Sequence, residues 1–294
     1  MSAPQRIAVT GASGLIGTAL IGHLKSEGHT VQRLVRRPVV SSDEIQWDPA
    51  AGTVDLTALE GVDAVIHLAG ANVGDKRWSK KYKAEILNSR LLGTTTIANA
   101  VNAVKPQVFI SSSAIGWYGE TGNRAVTEED RPGDDFLAAV CKEWEAAADL
   151  ATNTRTVKIR TGLVLDPTGG ALGKMLPLFR FGLGGKLGNG KQWWSWITLH
   201  DQIRAICHLL EKPVEGAVNL TAPNPATNQE FTSALARALH RPAVFPVPGF
   251  ALKIALGGFS SEILGSKKVM PQKLMDSGFT FDYPHIAPAL AKLV

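Results

Sequence analysis

Cysteine is scarce in this chain of 294 residues: Cys141 and Cys207 are the only two. Two thiols build neither a disulfide framework nor a four-ligand zinc site by themselves, so a reducing, cytoplasmic setting is the simplest expectation. The seven histidines show no metal spacing, and no metal centre is expected. Long hydrophobic runs are missing too. No stretch reaches about 18 apolar residues without charge, as a membrane span requires. The start, MSAPQR, lacks the basic head, apolar run and small-residue cleavage site of a signal peptide. No G-x-S-x-G elbow surrounds Ser111, Ser112 and Ser113, which removes a serine-hydrolase reading. Concentrated positive charge is also absent. The 31 Lys+Arg and 26 Asp+Glu leave a formal +5, but they are interleaved, and even Lys80, Lys81 and Lys83 are followed by Glu85. That pattern reads as a solvated face, with no nucleic-acid partner expected.

What remains is a globular composition, 45% hydrophobic and 19% charged. It suits one large domain or two unequal ones with an ample core. Short apolar runs alternate with amphipathic stretches through the first half. Residues 6–10, 30–36, 63–68, 107–113 and 155–161 read as strands; 14–27, 79–104 and 136–151 read as helices. Ile16, Leu20 and Leu24 recur on one helical face. Near-continuous apolar strands alternating with helices predict an α/β fold, a parallel sheet covered on both faces. Beyond about residue 165 glycine becomes dense over 169–190. A late strand (216–220) and helices (201–211, 228–240) follow, and an apolar stripe runs over 249–264. We expect a dinucleotide-binding core (1–165), a mixed substrate-side region (166–245) and a helical C-terminal domain (246–294). The last is too short to stand alone, so its stripe of Phe250, Ile254 and Leu264 is expected to pack on the sheet.

Residues 10–17 read TGASGLIG, placing Gly11, Gly14 and Gly17 between a strand and a helix. Gly11 permits the tight turn, Gly14 admits a pyrophosphate to the helix N-terminus, and Gly17 permits close helix–strand packing. The second strand ends Leu34-Val35-Arg36-Arg37, without the acid that would bind an NAD ribose. Two guanidinium groups there suit a 2′-phosphate, so NADP(H) is the expected cofactor. The sequence His67-Leu68-Ala69-Gly70 closes the strand expected over 63–68, with small residues where a dinucleotide crosses the switch point. His67 itself reads as a packed strand residue.

These motifs, with Ser111-Ser112-Ser113-Ala114 and Tyr118-Gly119, resemble the extended short-chain dehydrogenase/reductases, the sugar-nucleotide epimerases and their relatives. The segments DDFLAAVCKEWEAAA, QWWSWI and NLTAPNP, and the tail from PVPGFALKIALGG to MPQKLMDSGFTF, resemble an atypical "epimerase family" within it, with a small C-terminal helical domain. The resemblance implies a doubly wound Rossmann sheet with a smaller, mainly helical C-terminal substrate-side region. It puts Gly11, Ser13, Gly14, Leu15 and Ile16 on the pyrophosphate and Arg36, helped by Arg37, on the adenosine phosphate. It lays Leu68, Ala69 and Gly70 along the cofactor, and Glu85 and Arg90 on a cofactor-facing helix. Arg160 and Val164 fall near the nicotinamide, and Ser113 at the catalytic serine position. Such reductases use Tyr-x-x-x-Lys, the lysine lowering the pKa of a phenol that moves the proton during hydride transfer. Here Lys142 is present, as catalytic and ribose-binding candidate, but Ala138 stands four residues before it. Thr198 replaces a histidine frequent in relatives.

The expected function is therefore that of an NADP(H)-binding oxidoreductase or epimerase-like enzyme, monomer or homodimer, acting on an unidentified small carbonyl, alcohol or sugar-nucleotide ligand. The alternative is a non-catalytic NADP(H)-binding protein. Tyr118 is the nearest substitute proton donor in sequence. Trp193, Trp194 and Trp196 are either core or ligand cover, and residues 121–133 either a lid or a plain surface loop.

Overall fold

The computed structural model describes residues 3–294. The strands are β1 (Arg6–Thr10), β2 (Thr30–Val35), β3 (Glu44–Asp48), β4 (Thr53–Val54), β5 (Ala64–His67), β6 (Val108–Ala114), β7 (Ala125–Val126), β8 (Arg155–Thr161), β9 (Leu163–Asp166), β10 (Trp193–Trp194), β11 (Trp196–Thr198), β12 (Gly216–Leu220), β13 (Ala226–Thr227) and β14 (Lys268–Val269). The helices are α1 (Leu15–Ser26), α2 (Leu56–Leu59), α3 (Lys80–Val104), α4 (Phe136–Ala148), α5 (Gly170–Arg180), α6 (Leu199–Glu211), α7 (Asn228–Ala238), α8 (Gly249–Leu256), α9 (Ser260–Leu264), α10 (Gln272–Asp276) and α11 (Ile286–Leu293). None is long and apolar enough to cross a membrane.

Eight strands form one sheet in the order β12-β8-β6-β5-β1-β2-β3-β4, parallel throughout except that β4 runs antiparallel to β3. The chain begins mid-sheet at β1, works outward to β4, then returns to β5 on the other side of β1. That reversal opens a crevice at the carboxyl ends of β1 and β5, where doubly wound sheets take their ligands. Alternation along β1 explains the layers. Ile7 and Val9 pack with Leu20 and Leu24 of α1 and Ile206 and Leu209 of α6 on one face. Ala8 points the other way, into a cluster with Leu59 of α2 and Ile97 and Val101 of α3. A third cluster joins Leu176 of α5, Phe231 of α7 and Leu290 of α11.

Three expectations need correction. The β3–β4 hairpin was not anticipated, so the HLAG segment follows the fifth strand. Its first strand, Glu44-Ile-Gln-Trp-Asp, carries charge at both ends, and the edge strand β4 is only two residues long. The helix expected over 136–151 stops at Ala148. The stripe over 249–264 is not one buried helix. Gly257, at φ +59°, ends α8, and Phe250 and Ile254 stay 69% and 70% exposed. The tail is anchored elsewhere: Leu274 and Phe279 enter the sheet core and Leu290 the third cluster.

Candidate functional site

The glycine turn is shaped by contacts that leave no room for side chains. Gly11 sits at φ +67°, and a Cβ there would lie 2.8 Å from the Leu68 carbonyl carbon. A Cβ on Gly17 would lie 2.2 Å from the Gly11 oxygen. Thr10 and His67 are register partners on β1 and β5, and they lock this approach. The Thr10 hydroxyl accepts from the Leu68 and Ala69 amides at 3.0 and 3.2 Å, and lies 2.8 Å from His67 Nδ1. With both amides pointing at its oxygen, its proton goes to Nδ1, which leaves the imidazole proton on Nε2. Burial pushes the His67 pKa down to about 3, so the ring is neutral. His67 thus packs and pins, as expected from its place in the strand.

Above this turn lies a cleft of about 310 Å³ lined by Gly14, Leu15, Ile16, Leu68, Ser112 and Val164 among others. Ser13 and Gly14 are exposed at its mouth, and Gly14 caps α1 with no side chain, so the first amides of the helix stay open. The two arginines after β2 part company. Arg37 makes a bidentate pair with Glu44 at 2.9 and 2.5 Å. Arg36 is exposed and has no hydrogen bond or ion pair among the described residues. Gly70 is exposed over the side chain of Arg90, 3.6 Å from where its Cβ would be. Arg90 donates to the carbonyls of Ala71 and Ile86, both at 3.0 Å, and its guanidinium stacks 4.7 Å from the Trp144 ring. Burial lowers its pKa. Glu85 is exposed, 3.6 Å from Lys76.

Ser113 and Arg160 are register partners on β6 and β8, and α4 covers them. Ser113 Oγ donates to Glu145 Oε1 at 2.7 Å; Arg160 grips the same carboxylate from Nε at 2.7 Å and Nη2 at 2.9 Å. Glu145 and Asp149 are four apart on the helix; Arg160 and Lys158 are two apart on the strand, and Lys158 meets Asp149 at 2.6 Å. One helix face therefore matches one strand face. Tyr118 continues the network, accepting from Arg160 Nη1 at 3.0 Å and donating to Asn219 Oδ1 at 2.7 Å. Burial pushes its pKa up to about 12. Both its neighbours hold it in place, so it has little freedom to serve as a proton donor.

Lys142 is not brought to Ser113. It lies on the exposed side of α4 with no side-chain partner among the described residues, while its neighbour Cys141 turns inward, 3.6 Å from the Ala114 oxygen. Burial pushes that thiol up to about 12, which makes it inert packing. Trp196 is wholly core; Trp194 packs on Phe231, and Trp193 donates to Asn123. Residues 121–133 are strapped down by β7–β14 pairing. Thr198 caps α6 through the Asp201 amide. His200, Asp201 and Asp282 cluster, but Asp201 is occupied by Arg204 and the amides of Asp282 and Tyr283. Ser112 and Glu145 were missed in the sequence. Strand alternation around Ser113 was the available signal for Ser112; Glu145 lies on α4, outside the reach of that pattern.

A glycine-turn cleft at the switch point of a parallel sheet defines a dinucleotide-binding α/β protein. Residues 7–221 match the NAD dependent epimerase/dehydratase family, and the chain belongs to it. Residues 247–293 match a domain of unknown function. The chain is 42% identical over 289 residues to an epimerase family protein of Mycobacterium leprae, covering 97% of this chain and 94% of that one. Its fold matches the crystal structure of human epimerase family protein SDR39U1 with NADPH: TM-score 0.91, 34% identity, 98% of each chain covered. It also resembles a Corynebacterium glutamicum structure described as a nucleoside-diphosphate sugar epimerase, at TM-score 0.81 and 33% identity, covering 99% of this chain and 58% of that one.

Proposed function

We propose that the chain binds NADP(H) across the ends of β1 and β5 and acts as an oxidoreductase or epimerase-like enzyme on a small carbonyl, alcohol or sugar-nucleotide ligand. The carrying observation is the unpaired Arg36 beside a turn stripped of side chains. The residues present fit the cofactor. The bare backbone of Gly11 and Gly14 and the open amides of α1 would hold the pyrophosphate, and Arg36 the 2′-phosphate. Val164 and Ser112 would flank the nicotinamide end. When bound, the nicotinamide supplies hydride transfer. The NADPH in the human relative's structure supports the same choice.

The chain's own contribution to chemistry is narrower than in ordinary reductases. Glu145 holds the proton of the buried Ser113 hydroxyl, which leaves that oxygen only lone pairs to offer a ligand, as an acceptor. Arg160 keeps Glu145 in place. α4 offers Ala138, Cys141 and Glu145 inward, and no phenol and ammonium pair. That observation favours the second reading, a non-catalytic NADP(H)-binding protein. Cofactor titration tests the common ground: NADPH must bind more tightly than NADH, and equal affinities would sink the assignment. A turnover panel of carbonyls and sugar nucleotides separates the two readings. Turnover lowered by Ser113→Ala supports the enzyme; none with any panel member supports the binding protein.

A further inference from the structure

A second cavity, of about 490 Å³, shares no lining residue with the cofactor cleft. The core side supplies Trp78, Lys83, Phe136 and Leu137; the C-terminal side closes it with Lys253 and Gly258. Its volume falls within the range of small-molecule sites. The aromatic wall is rigid. Trp78 and Phe136 meet edge to face at 5.2 Å, and Phe259 packs on Trp78 at 5.9 Å. Gly258 packs closely on this wall: a Cβ there would lie 3.3 Å from Trp78. Leu137 carries the wall toward the end of β6, since it sits against Gly116, in the turn that follows Ser113.

Two lysines of this wall have no carboxylate partner among the described residues. Lys83 Nζ rides over both rings, 4.7 Å from Phe136 and 5.6 Å from Trp78. Lys253 has no hydrogen bond or ion pair among the described residues. The acids of the lining face other groups: Asp135 caps α4 through the Ala138 amide and keeps its charge, and Glu262 pairs with Lys267 at 2.9 Å. With Lys267 counted, ammonium groups outnumber carboxylates beside a wall of crossed aromatic rings. The complementary molecule carries an anionic group for the lysines and an aromatic body for the rings.

We propose that this cavity receives an organic anion with an aromatic body, and that this is the substrate class of the protein. The inference rests on the proposed function for its link to reaction, while the cavity's ligand preference stands apart from the cofactor. The shared chemistry is an anion, carboxylate or phosphate, on an aromatic framework. Calorimetric titration of the full chain, with and without NADPH, uses 2-naphthoate, 2-naphthyl phosphate and neutral 2-naphthamide. At least one anion binds roughly tenfold more tightly than the amide, and the tighter of the two identifies the head group. Lys83→Met and Lys253→Met each weaken that anion roughly fivefold. Lys83→Arg retains binding, and NADPH affinity stays within about twofold in all variants, because neither lysine touches the cofactor cleft. Equal binding of anion and amide, wild-type affinity in both methionine variants, or no binding of either anion overturns the proposal. A wild-type chain that binds the anion but not NADPH refutes the cofactor reading and leaves the cavity's ligand class standing.

Discussion

Arg36 and Arg37 are adjacent in sequence and opposite in circumstance, which makes a discriminating pair of substitutions. Arg36 has no hydrogen bond or ion pair among the described residues, so Arg36→Ala removes none of these contacts. Arg37 is held by Glu44, and Arg37→Ala strips a buried carboxylate of its bidentate donor. A charge-assisted hydrogen bond is worth about 1.5–3 kcal/mol, and solvent at an exposed position trims this toward the lower bound. Arg36→Ala should therefore weaken NADPH by roughly tenfold and leave NADH, which lacks the 2′-phosphate, within about twofold. Its melting temperature should match the wild type. Arg37→Ala should do the reverse, lowering stability with little change in cofactor preference. Fluorescence titration of both cofactors, beside thermal melts, reads all four quantities. Raising salt should shrink the Arg36 effect, because the contact is solvent-exposed. If Arg36→Ala binds NADPH as well as the wild type does, or if NADH affinity falls equally, the placement of the 2′-phosphate is wrong.

The buried Glu145–Arg160 pair, 4% and 3% exposed, should resist single substitutions poorly. Glu145→Ala leaves a buried guanidinium without its carboxylate and should cost about 3–5 kcal/mol, a melting-temperature loss on the order of 10 °C; a loss under about 2 °C would refute the network's weight. His67 predicts an acid limb of stability. Its folded pKa of about 3 lies below the unfolded value near 6.5, so its contribution is complete above pH 6.5 and is lost as pH falls toward 3. Urea midpoints measured from pH 7 to 5 should fall, and a His67→Asn variant should show the shallower slope; identical slopes would contradict a neutral buried ring. In the tail, Phe250→Ser with Ile254→Ser should leave the melting temperature unchanged, since both are exposed, whereas deletion from Pro246 should yield insoluble protein by stripping Leu274, Phe279 and Leu290 from their clusters. A truncated chain that melts like the full one would show that these contacts carry no stability.

Local pattern alone determined the parallel α/β core, the glycine turn and the pair of arginines in place of an acid at the end of β2. Those features depend on residues close in sequence: the apolar run from Ile7 to Val9, the glycines of residues 10–17, and the arginines that end β2. The stretch at 44–54 was not legible because β3 carries charge at both ends, as a loop does, and the edge strand β4 is only two residues long. The tertiary structure alone decided how the arginines divide, since Glu44 reaches Arg37 only when β3 lies beside β2. The register of β6 on β8 likewise placed Ser113 opposite Arg160, and the phase of α4 then turned Glu145 and Cys141 inward and Lys142 outward. A tetrapeptide spacing on a helix states which residues share a face, but not which face meets the sheet; that choice belongs to packing between elements far apart in the chain. For the same reason, the apolar stripe of α8 was visible in sequence, and its exposure was not.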